Sequence, residues 1–258
     1  MPRTHISFSE LKIWNECAFK HKLVYIDEVK KFLGNEYTAF GTAIHSVCEK
    51  IAVQKTPLDL EKSFKENFLK ELKELKNLSV PLRKDLVDQM VKQGGNILPH
   101  IYPVLKKTFP SFNVISIEEK LMEPVDDMFF KGVIDLVIQT PDGKYHVIDW
   151  KTCSWGWDSK KKNDSMTTYQ LTLYKHFFAL KHNIDPDKIE THFALLKRTA
   201  KSNVVEIFRV TSGKKKTKNS LKLLDKAIYN VKKKNFVKNR LSCTSGYGCE
   251  FYKTEHCR

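Results

Sequence analysis

Hydrophobic positions along the chain follow the helical period in six stretches and alternate, or run together, in five others. Residues 8–21 place Leu11, Trp14 and Ala18 at helical spacing behind Ser7-Phe8-Ser9-Glu10, the S-x-x-E arrangement that caps a helix start. A second helix opens at Phe40-Gly41-Thr42-Ala43-Ile44-His45, with Ile44, Val47, Cys48 and Ile51 as its apolar side. A third is expected from Thr56-Pro57, a hydroxyl cap followed by proline at the first helical position, and its stripe is Leu60, Phe64, Phe68, Leu72 and Leu75. Residues 80–109 keep the helical period but carry Gly94-Gly95, Pro99 and Pro103, which kink or end helices. Residues 54–110 therefore read as a helical insert packed over a core, with a Lys/Glu-rich face in solvent.

The strand pattern begins at 114–121 and is strongest over 129–152. There, two β-branched runs, 132–140 and 144–152, flank Pro141-Asp142-Gly143. Proline presets φ, aspartate bonds its own backbone and glycine accepts positive φ, so the segment reads as a β-hairpin. A turn centred on Asp142 sets Asp135 opposite Asp149, and the period of two puts Lys151 on the face of Asp149. A one-residue slip would separate the two acids. Beyond a polar, basic loop at 154–165, residues 167–182 form a helix whose core side is Leu173, Phe177 and Leu180; Gln170 and Tyr174 share its other face. Strands at 192–198 and 204–210 make a second hairpin. A basic linker, 213–218, leads to a helix carrying Leu221, Leu224, Ile228 and Val231.

Two carboxylates and a lysine among Val133, Ile134, Leu136, Val137, Val147, Ile148 and Trp150 are costly to bury, and like charges on facing strands repel. A divalent cation held by both acids compensates; a partly exposed hairpin end with an ordinary Asp–Lys pair does so too. His45, with Glu49 one turn on, is either a structural histidine or a ligand. Glu119 is either an acid near that centre or a strand-end acid on the surface.

Composition narrows the partner. In 258 residues, 45 basic against 30 acidic side chains give a net charge of +15, which points to a polyanion, nucleic acid before anionic membrane, unless the lysines only solvate helix faces. Without a run of about 18 apolar residues no membrane span is expected, and MPRTHISFSELK lacks the apolar region of a signal peptide. The expected setting is a reducing cytoplasm, where six cysteines serve as thiols or metal ligands. Three of them crowd the tail as Cys243-x5-Cys249-x7-Cys257; Cys48 and Cys153 are assigned to packing. Trp155 and Trp157, beside Lys160, Lys161 and Lys162, suit base stacking and phosphate attraction as well as they suit packing beneath a loop.

Gly-Val-Ile-Asp135, a hairpin's length before Val-Ile-Asp149-Trp150-Lys151-Thr, resembles the PD-(D/E)XK nuclease superfamily, its RecB-type branch in particular. Gly-Thr-Ala-Ile-His45-x-x-x-Glu resembles that family's histidine motif, Tyr-Gln170-Leu-x-x-Tyr174 its Q-x-x-x-Y motif, and Ser7-x-Ser9-x-Leu11…Cys17 its amino-terminal segment. CEFYKTEHC resembles the cluster-binding tail of RecB-type and CRISPR-adaptation nucleases. The resemblance implies an α/β, restriction-endonuclease-like core, a mixed sheet flanked by helices, in one domain over 1–258 with the insert at 54–110 and the tail at 243–258. It implies Mg²⁺ or Mn²⁺ on His45, Asp135, Asp149 and the Trp150 carbonyl, with Lys151 orienting the attacking water and Gln170 and Tyr174 positioning the phosphate or Lys151. It further implies a 4Fe-4S cluster on Cys17, Cys243, Cys249 and Cys257. The tail departs from the family's tighter C-x2-C-x5-C, and Gly246 stands where a thiol belongs, so zinc bound with His256 and a degenerate tail stay open. The activity implied is metal-dependent DNA hydrolysis, as an exonuclease on single strands or duplex ends in recombination, repair or replication, beside a helicase or recombination partner and in a bacterial or phage setting. A non-catalytic DNA-binding scaffold and a basic RNA-binding protein with a zinc tail are the alternatives.

Overall fold

A computed structural model describes residues 4–29, 32–53, 59–246 and 248–258. In chain order the elements are β1 (His5–Ser7), α1 (Phe8–Glu16), α2 (Ala18–His21), α3 (Glu36–Val53), α4 (Leu60–Asn77), α5 (Lys84–Thr108), β2 (Asn113–Val125), β3 (Met128–Gln139), β4 (Tyr145–Cys153), α6 (Ser159–Asn163), α7 (Ser165–His182), β5 (Ile189–Lys197), β6 (Val205–Val210) and α8 (Lys214–Lys232). The strands form a mixed six-stranded sheet in the order β1-β3-β4-β5-β6, with β2 also beside β3. The chain divides into two compact units. One comprises residues 1–32, 120–132 and 213–258; the other comprises 33–119 and 133–212.

The larger unit holds the expected hairpin in the expected register. Leu136 pairs with Ile148, Val137 with Val147, Ile138 with His146 and Gln139 with Tyr145. Gly143 adopts φ +80° in the turn, where Asp142 Oδ1 also accepts from the Lys144 amide. β5 then runs parallel to β4, and β6 returns antiparallel to β5 as the second hairpin. One face of these strands, with Leu136, Ile138, Ile148, Trp150, Ala194 and Leu196, packs on α3, α4 and α5 in a single apolar cluster. Phe40, Phe64 and Phe68 pack ring against ring in it at 5.4–6.0 Å.

Three helices of the larger unit differ from their sequence reading. α3 starts at Glu36, four residues before Phe40, because Asn35 Oδ1 accepts from the Tyr37 and Thr38 amides and caps the earlier turn. The cap expected at Thr56-Pro57 lies outside the described residues; α4 is capped by Asp59, whose Oδ1 accepts from Lys62 N. α5 runs unbroken through Gly94-Gly95, Pro99 and Pro103 for 25 residues. Burial of Met90, Ile97, Leu98, Ile101 and Leu105 outweighs the two missing amides, and Gly94 gives room to Phe64, whose ring would lie 2.3 Å from a Cβ there.

In the smaller unit Ser7 Oγ accepts from Glu10 N, as the capping spacing requires, but the Glu10 carboxylate reaches His21 Nε2 at 2.8 Å rather than the helix start. The helix expected over 8–21 breaks at Cys17, which is extended (φ −161°, ψ 114°) and whose sulfur caps α2 by accepting from Lys20 N. β1 pairs in parallel with the start of β3. Residues 214–218 are the first turn of α8, not a linker: Ser220, Leu224, Ala227 and Ile228 bury one face and leave the lysines in water.

Candidate active site

β3, β4 and α7 bring five polar side chains together in the larger unit. Asp149 is 2 % exposed, and Lys151, two residues along on the same strand face, sets its Nζ 2.6 Å from Asp149 Oδ2. From α7, Gln170 donates through Nε2 to Asp149 Oδ1 at 2.8 Å and to Tyr174 Oη at 3.2 Å. The i, i+4 spacing makes this possible, since residues four apart stack on one helix face. On the neighbouring strand, Asp135 Oδ2 accepts from the Trp150 amide at 2.7 Å. The Trp150 side chain is buried with the α3–α5 cluster. His45, on α3, places Nδ1 3.7 Å from Asp135 Oδ1.

The electrostatics record a crowd of negative charge. Burial, followed by the charge of Asp135, raises the Asp149 carboxyl to about 6 in spite of Lys151. Burial alone would lower His45, but its hydrogen bond and charge interaction with Asp135, reinforced by Asp149, hold it above the ordinary imidazole value. Burial, then the charge of Asp149, drives the Tyr174 phenol up, so it stays protonated.

A further acid joins from β2, and it is not Glu119. Glu119 pairs with Lys181 at 2.5 Å and with His182 Nε2 at 3.0 Å, the surface role of a strand-end acid. Glu118, one residue earlier, hydrogen-bonds Glu49; burial, Glu118 and Asp135 together raise Glu49 to about 7. Glu118 has φ +48°, which locally offsets the strand's alternation; it stays exposed, whereas Glu119 is half-buried by its partners.

His45, Asp135 and Asp149 do not place one ligand atom each within 4.8 Å of one another. Among the described residues only His146, Glu190 and His192 do so. The donors at Asp135 and Asp149 are nevertheless carboxylate oxygens beside incompletely neutralised charge, a set that fits a hard divalent cation.

The remaining candidates are spread over loops and the tail. Trp155 is 78 % exposed, whereas Trp157 packs its ring on Phe193 and Phe208, with Lys161 Nζ 4.8 Å over its face. Lys160 is exposed, and Lys162 pairs with Glu206. Cys48 is wholly buried and Cys153 half-buried, both as free thiols. In the smaller unit, Cys17, Cys243, Cys249 and Cys257 line one pocket. Gly246 (φ +58°) and Gly248 (φ +78°) fold the tail back, and Cys249 N donates to the Cys243 carbonyl at 3.0 Å. Cys17 Sγ accepts from the Lys20 and Asn239 amides. No three of the four sulfurs lie within 4.8 Å of one another. His256 lies outside the pocket lining, beside Glu255.

No helix among the described residues is long and apolar enough to cross a membrane. Comparison with the curated proteins finds no match. Among solved structures, an exonuclease candidate from Eubacterium rectale superposes with a TM-score of 0.61 at 15% identity, covering 92% of this chain and 84% of its own, a likeness of fold. A structure of SSO0001 aligns at 13% identity over 89% of this chain and 77% of its own, with a TM-score of 0.39. The family model of the PD-(D/E)XK nuclease superfamily matches residues 5–257, nearly the whole length, and the chain belongs to that superfamily.

Proposed function

We propose that this nuclease is a divalent-metal-dependent deoxyribonuclease, acting as an exonuclease on single-stranded or duplex DNA ends. The observation that carries the reading is the clamp on Asp149: a buried carboxylate held by Lys151 on one oxygen and Gln170 on the other, beside Asp135. Asp135 and Asp149, with His45 and the Trp150 carbonyl, would hold the metal; their oxygen-rich donor set favours Mg²⁺ or Mn²⁺ over softer ions. Bound there, such an ion would polarise the scissile phosphate and acidify a water.

Each side chain then has its own task. Lys151 keeps its ammonium beside Asp149, where it orients the attacking water and offsets charge developing on the phosphate. Gln170 fixes the Asp149 carboxylate through its amide, and Tyr174, kept protonated, fixes Gln170. The Trp150 amide anchors Asp135. Exposed Trp155 and Lys160, with the surplus of positive charge, suit the strand that leaves the site, giving affinity that falls with salt. The exonuclease mode is supported by the fold shared with the Eubacterium rectale candidate. A place in recombination, repair or replication beside a helicase or recombination partner accords with it.

In the tail we read an iron–sulfur cluster on Cys17, Cys243, Cys249 and Cys257. The four cysteines line one pocket, and several thiolates gathered in one place suit a soft-metal or iron–sulfur centre. Cleavage of end-labelled linear, circular, single- and double-stranded DNA in Mg²⁺ or Mn²⁺, with and without chelator, tests the activity. Products shortened from the ends and abolished by chelator are expected; metal-independent or absent cleavage by protein that still binds DNA favours the scaffold alternative. Visible absorbance and iron content after anaerobic purification test the cluster, and an iron-free, colourless protein removes it.

A further inference from the structure

His146, Glu190 and His192 form a constellation that the nuclease chemistry does not use. His146 is on β4 and the other two are on β5, with His146 directly beside Glu190 in the parallel register. Residues 146, 148 and 150 share one strand face; Asp149 and Lys151 lie on the other. The trio therefore sits three residues from the nuclease acid but behind the sheet. Phe109, at the end of α5, covers it, with ring centroids 4.7 Å from His146 and 5.2 Å from His192. Beyond Phe109 the three residues open onto a broad cavity bordered by Pro110, Thr140 and Lys144.

Three ligand atoms converge there. His146 Nδ1 lies 3.1 Å from His192 Nε2, and Glu190 Oε2 lies 3.9 Å from the first and 4.0 Å from the second. A triangle with those sides has a circumradius of about 2.1–2.2 Å, so one point stands at that distance from all three atoms, within the range of zinc–nitrogen and zinc–oxygen bonds. A closure of a few tenths of an ångström by Glu190 would lift that point out of the plane into a tetrahedral arrangement.

The surroundings already orient the ligands. Thr140 Oγ1 directs its one hydrogen at Asp142 Oδ1 and the Lys144 carbonyl, so its oxygen accepts from His146 Nε2–H at 3.0 Å. That fixes the tautomer in which Nδ1 presents its lone pair to the trio, the outer hydrogen bond that metal-binding histidines use. On Glu190 the other oxygen, Oε1, takes Lys144 at 3.4 Å and Arg209 at 3.3 Å, which leaves Oε2 to the histidines.

We infer that His146, Glu190 and His192 bind a zinc-class divalent cation, with water from the cavity in the fourth position, as a second metal site distinct from the nuclease centre. Two imidazoles and one carboxylate suit zinc or a neighbouring first-row ion and suit Mg²⁺ poorly. The proposal does not depend on the exonuclease reading, since it uses none of the same residues.

Crystals of the full chain soaked in zinc chloride, with anomalous data across the zinc edge, test it directly. The expected result is a peak within bonding distance of His146 Nδ1, His192 Nε2 and Glu190 Oε2, whatever else is occupied. Equilibrium dialysis at micromolar free zinc should then show one zinc fewer per chain in His192→Ala than in wild type. Glu190→Gln should weaken that ion at least about tenfold while keeping the wild-type melting profile. A map with zinc only at the tail thiols or at Asp135 and Asp149 would overturn the proposal. So would equal stoichiometry in wild type and His192→Ala, or occupancy only at millimolar zinc; the pair is then a plain His192 Nε2–H to His146 Nδ1 hydrogen bond.

Discussion

The two faces of the β4–β5 pair carry opposite chemistry on the same backbone. On one, Asp149 and Lys151 meet Gln170 of α7, and the charges persist because each has a partner. On the other, His146 and His192 lie beneath Phe109, where burial lowers both imidazoles, His192 to about 3, so both are neutral near pH 7. Three residues along β4 separate Asp149 from His146; the pleat sends one forward and the other back. Local sequence therefore says little about which chemistry a strand residue serves until the face it occupies is known.

The sharpest way to break the comparison is to empty the front face alone. Asp149→Ala and Lys151→Ala should each lower single-turnover cleavage of labelled DNA by about a hundred- to a thousand-fold or more in saturating Mg²⁺, with DNA affinity within a few-fold of wild type. Cleavage at the wild-type rate would remove both residues from the centre.

Phe109→Ala strikes the rear. Deleting a buried ring that covers both imidazoles should cost about 3 kcal/mol in urea unfolding of the metal-free protein. A loss below about 1 kcal/mol would mean that Phe109 only borders the histidines.

The faces should also answer pH in opposite directions. Asp149 titrates near 6 in the folded chain, above its unfolded value, so the fold binds the extra proton between pH 4 and 6. Its contribution is therefore greatest at low pH and is lost as pH rises through about 6. His146 and His192 titrate below the ordinary 6.5, so the unfolded chain binds more protons; their contribution grows as pH rises towards 6.5 and is lost as pH falls. In chelator, the melting temperature of Asp149→Asn should climb more steeply from pH 4 to 6 than that of wild type, by a few degrees over the range. Parallel curves would contradict the raised Asp149 carboxyl.

Gln170→Ala gives the smallest effect. It frees one Asp149 oxygen without touching the lysine, and a fall of about tenfold in cleavage is expected, the worth of one positioned hydrogen bond. Rescue by Gln170→Asn is not expected, because the shorter side chain cannot span α7 to Asp149 and Tyr174 together.

Sequence by itself pointed to the hairpin and, with the turn centred on Asp142, to the register that sets Asp135 and Asp149 opposite one another with Lys151 on the same face; the packed sheet then held it against a one-residue slip. It also determined that Gln170 and Tyr174 share a helix face. Tertiary structure alone decided the rest. That Glu118, at positive φ, meets Glu49 while Glu119 pairs with Lys181 and His182 is a choice that no side-chain pattern displays. Met90, Ile97 and Ile101 carried α5 through two prolines, because packing outweighs local propensity. The pair His146 and His192, forty-six residues apart, became neighbours only when β5 aligned in parallel with β4, since a crossover connection fixes no register of its own and the packed sheet must supply it.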